Sequence, residues 1–305
     1  MLPSTGARCL QVDPYSGPDC NATGYPPHLG APLLAPHNSD VPGSEDCLFL
    51  DIYVPISAVP PPSGNLQPIL PVIVWFYGGS YIFGAKDADL SQGVPLYSGA
   101  GLVEAAQSLG ESFIFVAGNY RLGQLGWLAG PAMVQQQEKD NSVVLNAGLT
   151  DQRLLLQFVQ NNIGKFGGDS SRVTAFGESA GAGSILHHLI AQENGTTRDP
   201  LFYRAAMQSA AYQWLWDNSA GGPSDKVFGT LVDQTPCNTT SGTDALACLQ
   251  GLSSDALMTA MSTIWNATKC SHVFNIGPVV DGKVITQLPA VALESAGKFA
   301  APLIP

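Results

Sequence analysis

Apolar positions along this chain follow two alternating patterns. Short apolar runs bounded by turn residues predict buried strands, and these runs cover residues 47–54, 70–77, 113–117 and 172–176. Elsewhere apolar residues recur at intervals of three and four, which predicts helices over residues 101–109, 149–163 and 182–191. Strands that alternate with helices predict an α/β fold with a mostly parallel central sheet, flanked by helices on both faces.

The two ends of the chain lack this alternation. Residues 1–46 are rich in proline and glycine and show little periodicity, so they predict an irregular loop region. Beyond about residue 212, short helical patterns at 245–252 and 255–261 take over. A chain of 305 residues is long enough for one large core. We therefore expect residues 1–305 to form a single α/β domain that contains the loop region.

Composition narrows the classes of function. Charged residues make up 12% of the chain and apolar residues 45%, as in a globular enzyme and not a disordered chain. The net charge of −11 and the lack of a basic stretch argue against nucleic acid as a partner. No apolar run reaches the roughly 18 residues that a membrane span needs.

Cysteines and glycosylation sequons indicate the secretory pathway. The chain has six cysteines, and Asn-x-Ser/Thr sequons occur at Asn21, Asn194, Asn238 and Asn266. The N-terminus has no basic segment followed by an apolar one, so a signal peptide is not recognisable. We expect a secreted, disulfide-bonded glycoprotein whose N-terminal end is missing from this sequence.

The most informative short motif runs from Gly177 to Gly181 and fits the pattern Gly-x-Ser-x-Gly. It lies between a predicted strand and a predicted helix, as in a nucleophile elbow. Such a turn exposes the serine hydroxyl above the sheet, and its glycines allow neighbouring backbones to pass closely. The motif predicts Ser179 as a nucleophile and the N–H of Ala180 as a donor to an oxyanion.

Several longer motifs, in order, resemble the type-B carboxylesterase family, which includes cholinesterases, fungal lipases and cholinesterase-like adhesion proteins. The chain is most similar in character to fungal extracellular esterases and lipases. The matching segments are residues 44–55, 119–123, 146–153, 161–169, 176–183, 207–209 and 277–282. The resemblance implies the α/β-hydrolase fold and hydrolysis of carboxylic esters through an acyl-enzyme on the serine.

The same resemblance implies further site residues. Gly79 and Ser80 would supply two more oxyanion donors, although the family usually has a third glycine where this chain has Ser80. A serine keeps the backbone N–H, so the donor persists if its backbone conformation allows. Ser209 would support the acid of the catalytic triad, or else be an ordinary turn serine. Glu178 is expected to be a structural carboxylate.

The acid and the base are not recognisable. In this fold the triad order is serine, acid, histidine. His187 and His188 fall on the helix after the elbow, and His272 precedes the motif at 277–282, after which the family places both groups. We therefore expect a chain that is incomplete on its C-terminal side. Alone, it should be inactive and prone to aggregate through an exposed sheet edge.

The family resemblance also implies disulfides between Cys9 and Cys47 and between Cys237 and Cys248. The pairing of Cys20 and Cys270 stays open, because spacing alone does not choose among the connectivities.

Aromatic residues bear on the substrate. The segment between Cys9 and Cys47 contains no tryptophan, whereas cholinesterases bind a quaternary ammonium through one there, so a choline ester is disfavoured. Three aromatics follow Ser209 and are candidates for a substrate pocket or for core packing: Tyr212, Trp214 and Trp216. We expect an uncharged, apolar ester or lipid substrate and no metal or cofactor, and the oligomeric state stays open.

Two alternatives remain. One is a non-catalytic, cholinesterase-like binding protein, and retention of Ser179 in an intact motif argues against it. The other is a truncated product with no function of its own.

Overall fold

The computed structural model describes residues 6–12, 43–56, 70–87, 89–90, 94–95, 97–193, 200–211, 217–268 and 276–295. Several residues named above lie outside this set: Cys20, Asn21, Asn194, Tyr212, Trp214, Trp216, Cys270 and His272.

The strands and helices alternate through the first two thirds of the chain. The strands are β1 Arg8–Cys9, β2 Gly43–Ser44, β3 Leu50–Tyr53, β4 Leu70–Phe76, β5 Asp89–Leu90, β6 Val94–Pro95, β7 Ile114–Gly118, β8 Gly168–Glu178 and β9 Arg204–Gln208. The helices are α1 Gly99–Ser108, α2 Gly123–Trp127, α3 Pro131–Asp140, α4 Ala147–Asn162, α5 Ala180–Glu193, α6 Pro223–Asp233, α7 Gly242–Gln250, α8 Ser254–Thr268 and α9 Pro289–Ser295. A 3₁₀ turn, Ile163–Phe166, follows α4.

Five of these strands form the central sheet, in the order β3-β7-β4-β8-β9. Strand β3 is antiparallel to β7, and the other three pairings are parallel. The mostly parallel sheet predicted from the alternating pattern is therefore confirmed. Because β4 and β8 are parallel neighbours, their carboxyl ends lie at the same edge of the sheet.

Both faces of the sheet are buried. In β4, Val72, Val74 and Phe76 pack in one core cluster with residues of α4 and α5. Trp75, in the same strand, and Tyr77, just after it, belong to a second cluster that includes residues of α1, α6, α7 and α8. A strand covered on both faces is apolar at every position, which is why the run at 70–77 predicts a buried strand.

The N-terminal region departs from the prediction of an irregular loop. Strands β1 and β2 pair in parallel, with Arg8 opposite Gly43 and Cys9 opposite Ser44. Strands of two residues are too short to produce a periodic signal, so the sequence pattern misses them. The disulfide between Cys9 and Cys47 holds the two segments side by side.

Both disulfides implied by the family resemblance are present, Cys9–Cys47 and Cys237–Cys248, with sequence separations of 38 and 11 residues. Replacing either pair by alanine should lower the free energy of unfolding, by about 4 kcal/mol for the longer loop and about 3 kcal/mol for the shorter, because each bridge restricts the unfolded chain. Urea denaturation of the two double variants measures this. Equal stability of both variants and the wild type would contradict it.

Candidate active site

The Gly-x-Ser-x-Gly motif forms a sharp turn between a strand and a helix. Strand β8 ends at Glu178, helix α5 begins at Ala180, and Ser179 between them has φ 52°. A left-handed conformation costs an L-residue about 1–2 kcal/mol. This is the strained strand–serine–helix geometry of a nucleophile elbow.

The two glycines of the motif are required by close backbone contacts. A Cβ atom on Gly181 would lie 2.1 Å from the carbonyl oxygen of Phe76, in the neighbouring strand β4. A Cβ atom on Gly177 would lie 2.8 Å from the carbonyl carbon of Gly181, across the turn. Side chains at either position would push the elbow away from the sheet.

A second turn, the glycine loop (residues 78–84), lies beside the elbow at the end of β4. A Cβ atom on Gly78 would be 2.9 Å from Cβ of Ser179, so the two segments touch. Gly79 has φ 104° and Ser80 has φ 55°. The carbonyl oxygen of Gly79 accepts hydrogen bonds from the N–H groups of Ile82 and Phe83, at 2.9 and 3.1 Å, which close the loop. The structure thus brings Gly79, Ser80, Ser179 and Ala180 into one region.

Two tyrosines pack together at the start of the glycine loop. The rings of Tyr77 and Tyr120 stack with centroids 4.3 Å apart. The Tyr120 hydroxyl donates to the carbonyl oxygen of Tyr77 at 2.7 Å, and the Tyr77 hydroxyl donates to the carbonyl oxygen of Tyr120 at 3.1 Å. Burial raises the pKa of both phenols, so both stay neutral donors. Sequence reasoning missed this pair, although Tyr120 lies in a matching motif.

Other motif residues have structural roles. The Arg121 guanidinium binds the buried Asp151 carboxylate through two hydrogen bonds of 2.8 Å. The buried Asn146 side chain donates to the carbonyl oxygen of Val279 at 2.9 Å and to the carboxylate of Asp281 at 2.8 Å. These contacts connect motif segments that lie far apart in the sequence.

Glu178 lies next to Ser179 but packs against the glycine loop. A Cβ atom on Gly78 would approach Oε2 of Glu178 to 2.6 Å. Partial burial raises the pKa of the carboxyl. Its position against the loop is compatible with the structural role predicted from the sequence.

The histidines of α5 lie away from the serine hydroxyl. They follow Ser179 by eight and nine positions, so a rise of 1.5 Å per residue places them about 12 Å along the helix. His187 and His188 are buried, at 5% and 1% exposure. Nε2 of His188 lies 2.9 Å from Oε1 of Gln152. The side-chain amide of Gln152 donates to the Ser184 hydroxyl at 3.1 Å. These imidazoles belong to the packing of α4 against α5.

Burial lowers the pKa of His187 from 6.5 to about 4. It also lowers the pKa of His188, as do the neighbouring Arg153 and His187. The unfolded state therefore binds protons that the folded state excludes. The contribution of His187 to the free energy of unfolding is fully present above about pH 6.5 and falls by about 1.4 kcal/mol per pH unit as the pH drops toward about 4. His188 acts in the same direction.

Urea denaturation across this pH range tests the effect. When the free energy of unfolding is plotted against pH, the variant His187→Leu should have a slope that is shallower than the wild type's by about 1.4 kcal/mol per pH unit. An unchanged slope would show that His187 does not contribute.

Ser209 lies directly after β9, with an exposed side chain and φ 46°. Asn238 is exposed, whereas Asn266 is half-buried on α8 and its Oδ1 is buried without a hydrogen-bond partner.

Within the described part of the chain, no group of three or more His, Cys, Asp or Glu side chains is arranged to hold a metal ion. None of the helices described there is long and apolar enough to cross a membrane.

A model of the carboxylesterase family matches residues 4–304 of this chain. The chain is a member of the carboxylesterase family. Fungal lipases are among the relatives of this chain. Lipase 1 of Geotrichum candidum is 32% identical over 310 residues, covering 96% of this chain and 50% of the lipase. A secreted lipase of Arthroderma benhamiae is 37% identical over 247 residues, covering 81% of this chain and 43% of the lipase.

A solved structure shows the same fold. EstA of Aspergillus niger aligns with this chain at a TM-score of 0.68 and 25% identity, over 98% of this chain and 48% of EstA. The α/β-hydrolase fold implied by the motifs is confirmed. The chain spans about half the length of the relatives it matches.

Proposed function

We propose that this chain carries the nucleophile of a secreted carboxylic ester hydrolase. Ser179 Oγ attacks the ester carbonyl carbon while a base accepts the hydroxyl proton, and the base returns that proton to the leaving alcohol as the C–O bond breaks. Water then hydrolyses the acyl-enzyme, which releases the carboxylic acid and restores the serine hydroxyl. The observation that carries the proposal is Ser179 in a left-handed turn between β8 and α5, touching the glycine loop. Fluorophosphonate labelling of Ser179 tests the nucleophile directly.

The proposed oxyanion donors are the backbone N–H groups of Gly79, Ser80 and Ala180. Ala180 is the first residue of α5, so its N–H belongs to the unpaired first turn of the helix. Ser80 at φ 55° occupies a conformation that serine tolerates at a cost of about 1–2 kcal/mol. On this proposal, the serine that replaces the family's third glycine supplies the same backbone N–H.

We infer that the base and its acid partner come from outside the described residues. The described histidines, His187 and His188, are buried about 12 Å along α5 from the serine.

The other histidines of the chain do not fit the triad order either, because His28 and His37 precede Ser179 and His272 precedes the motif at 277–282. The 305-residue chain by itself should therefore lack useful esterase turnover, because loss of a triad histidine costs about 10⁶-fold in kcat.

The relatives named as lipases support an apolar ester or lipid as the substrate. The proposed pocket role of Tyr212, Trp214 and Trp216 stays a prediction.

Secretion and glycosylation also belong to this proposal. The two disulfides fit an oxidising compartment, and one relative is named as a secreted lipase. The proposed glycan acceptors are Asn21, Asn194, Asn238 and Asn266.

The test compares the purified 305-residue chain with the protein as its source produces it, using p-nitrophenyl esters of increasing acyl length and acylthiocholine. The natural protein should hydrolyse apolar esters and prefer them over the cationic ester. The 305-residue chain should be inactive. Its turnover within about tenfold of a full-length relative would contradict the assignment of the base, and an inactive natural protein would contradict the esterase proposal.

A further inference from the structure

The backbone of Ser179 is held by a segment outside its own strand and helix. The N–H of Ser179 donates to the carbonyl oxygen of Gln208 at 3.0 Å, and the N–H of Ala211 donates to the carbonyl oxygen of Ser179 at 3.1 Å. Residues 208–211, which we call the elbow clamp, thus bind both polar groups of one residue.

Ser209 gives the elbow clamp its shape. Strand β9 ends at Gln208, and Ser209 takes a left-handed conformation with φ 46°. This turn lets the Gln208 carbonyl and the Ala211 N–H both face Ser179. The side chains of Gln208 and Ser209 are exposed, so burial of these side chains does not account for the conformation.

Gly183 allows the elbow clamp to approach helix α5. A Cβ atom on Gly183 would lie 2.7 Å from the carbonyl oxygen of Ala211. The contact is between two backbones, and it places Ala211 against the first turn of α5.

The orientation of the oxyanion donor follows from peptide geometry. The carbonyl of Ser179 and the N–H of Ala180 belong to the same planar trans peptide group and point in opposite directions. The carbonyl accepts from Gly183 N–H at 2.9 Å, inside the helix, and from Ala211 N–H across the clamp. Fixing the carbonyl therefore fixes the direction of the Ala180 N–H.

We propose that the elbow clamp is a positioning device for the oxyanion donor, and that Ser209 acts in it through its backbone conformation. The inference rests on the proposed function, since it takes Ala180 N–H as an oxyanion donor. Preorganised donors must point at the place where negative charge develops, and removal of one donor costs about 10²–10³ in kcat. A donor that is misdirected should lose part of that effect.

The variant Ser209→Val tests the proposal in the complete, active protein, because a β-branched residue strongly disfavours a positive φ. We expect kcat to fall by about 10- to 100-fold while KM changes less than about threefold, since the donor acts on the transition state. The inhibition constant of a trifluoromethyl ketone transition-state analogue should rise in step.

The matched control is Asn141→Val. Asn141 has φ 55° and is exposed at the C-terminal cap of α3, where its side chain accepts a hydrogen bond from Nζ of Lys283. It suffers the same backbone conflict, so a similar loss of stability is expected with kcat retained. If both variants lost kcat equally, general destabilisation would explain the effect of Ser209→Val, and the proposal would be overturned.

Two further variants keep the test decisive if Ser209→Val does not fold. Ser209→Gly should recover at least about tenfold in kcat over the valine variant, because glycine adopts positive φ freely. Ala211→Pro removes the clamp's N–H and should reproduce the loss of kcat. If the wild type turns over esters and Ala211→Pro retains its kcat, the proposal for the elbow clamp is overturned and the proposed function is not. A wild type without ester turnover would overturn both proposals.

Discussion

Replacing Ser179 by alanine should remove ester hydrolysis from the complete protein, with kcat lower by about 10⁴- to 10⁶-fold. The loss is large because the acyl-enzyme route requires an oxygen nucleophile at the elbow, while binding and oxyanion donors alone leave only about 10³–10⁴ over water. KM should change little, since the hydroxyl acts on the reacting carbonyl. The measurement combines turnover of a p-nitrophenyl ester with the intact mass after fluorophosphonate treatment.

Ser108→Ala is the control for this experiment. Ser108 is an exposed serine at the end of α1, where its hydroxyl donates only to the helix carbonyl of Ala105 at 2.7 Å. This variant should keep stoichiometric labelling and turnover. Labelling that persists in Ser179→Ala at the wild-type rate would place the nucleophile elsewhere and refute the proposed mechanism.

Gly181→Ala should strongly destabilise the protein, because the new methyl group meets the backbone of strand β4. The new Cβ would lie 2.1 Å from the carbonyl oxygen of Phe76 and 2.8 Å from that of Tyr77. Both atoms are backbone, at the end of β4 where the glycine loop begins, so relief requires the elbow and the sheet to separate. We expect the free energy of unfolding to fall by about 3 kcal/mol or more, together with loss of turnover.

Gly229→Ala adds the same methyl group on α6, where nothing lies within 4 Å of the new Cβ. It should stabilise the protein by about 0.5–1 kcal/mol, because alanine is the better helix former. Urea denaturation compares the two variants under identical conditions. If both variants shifted stability in the same direction, the contact with Phe76 would not be the cause.

Sequence patterns predict the central features of the fold because these features depend on short segments. The run at 70–77 predicts β4, since a strand buried on both faces is apolar at every position. The elbow is recognisable because a strand, a left-handed serine and a helix occur within consecutive residues. The pairing of Cys9 with Cys47 came from family resemblance, and the structure bears it out.

The remaining features depend on contacts that no local pattern contains. The elbow clamp brings Ala211 to Ser179 through the parallel pairing of β8 with β9, and Ser209 gives no sequence signal of its positive φ. The stacking of Tyr77 on Tyr120 joins two strand ends that are 43 residues apart. Strands β1 and β2 are too short to show periodicity.

The bonds of Asn146 have a consequence for the order of events during protein synthesis. This buried side chain both donates to and accepts from Val279, 133 positions later in the sequence. At about 5–20 residues per second, the ribosome needs roughly 7–27 s to supply the second partner after the first. By then all five strands of the central sheet have been synthesised, since the last of them ends at Gln208. The contact that fixes the start of α4 is therefore among the late ones to form during synthesis.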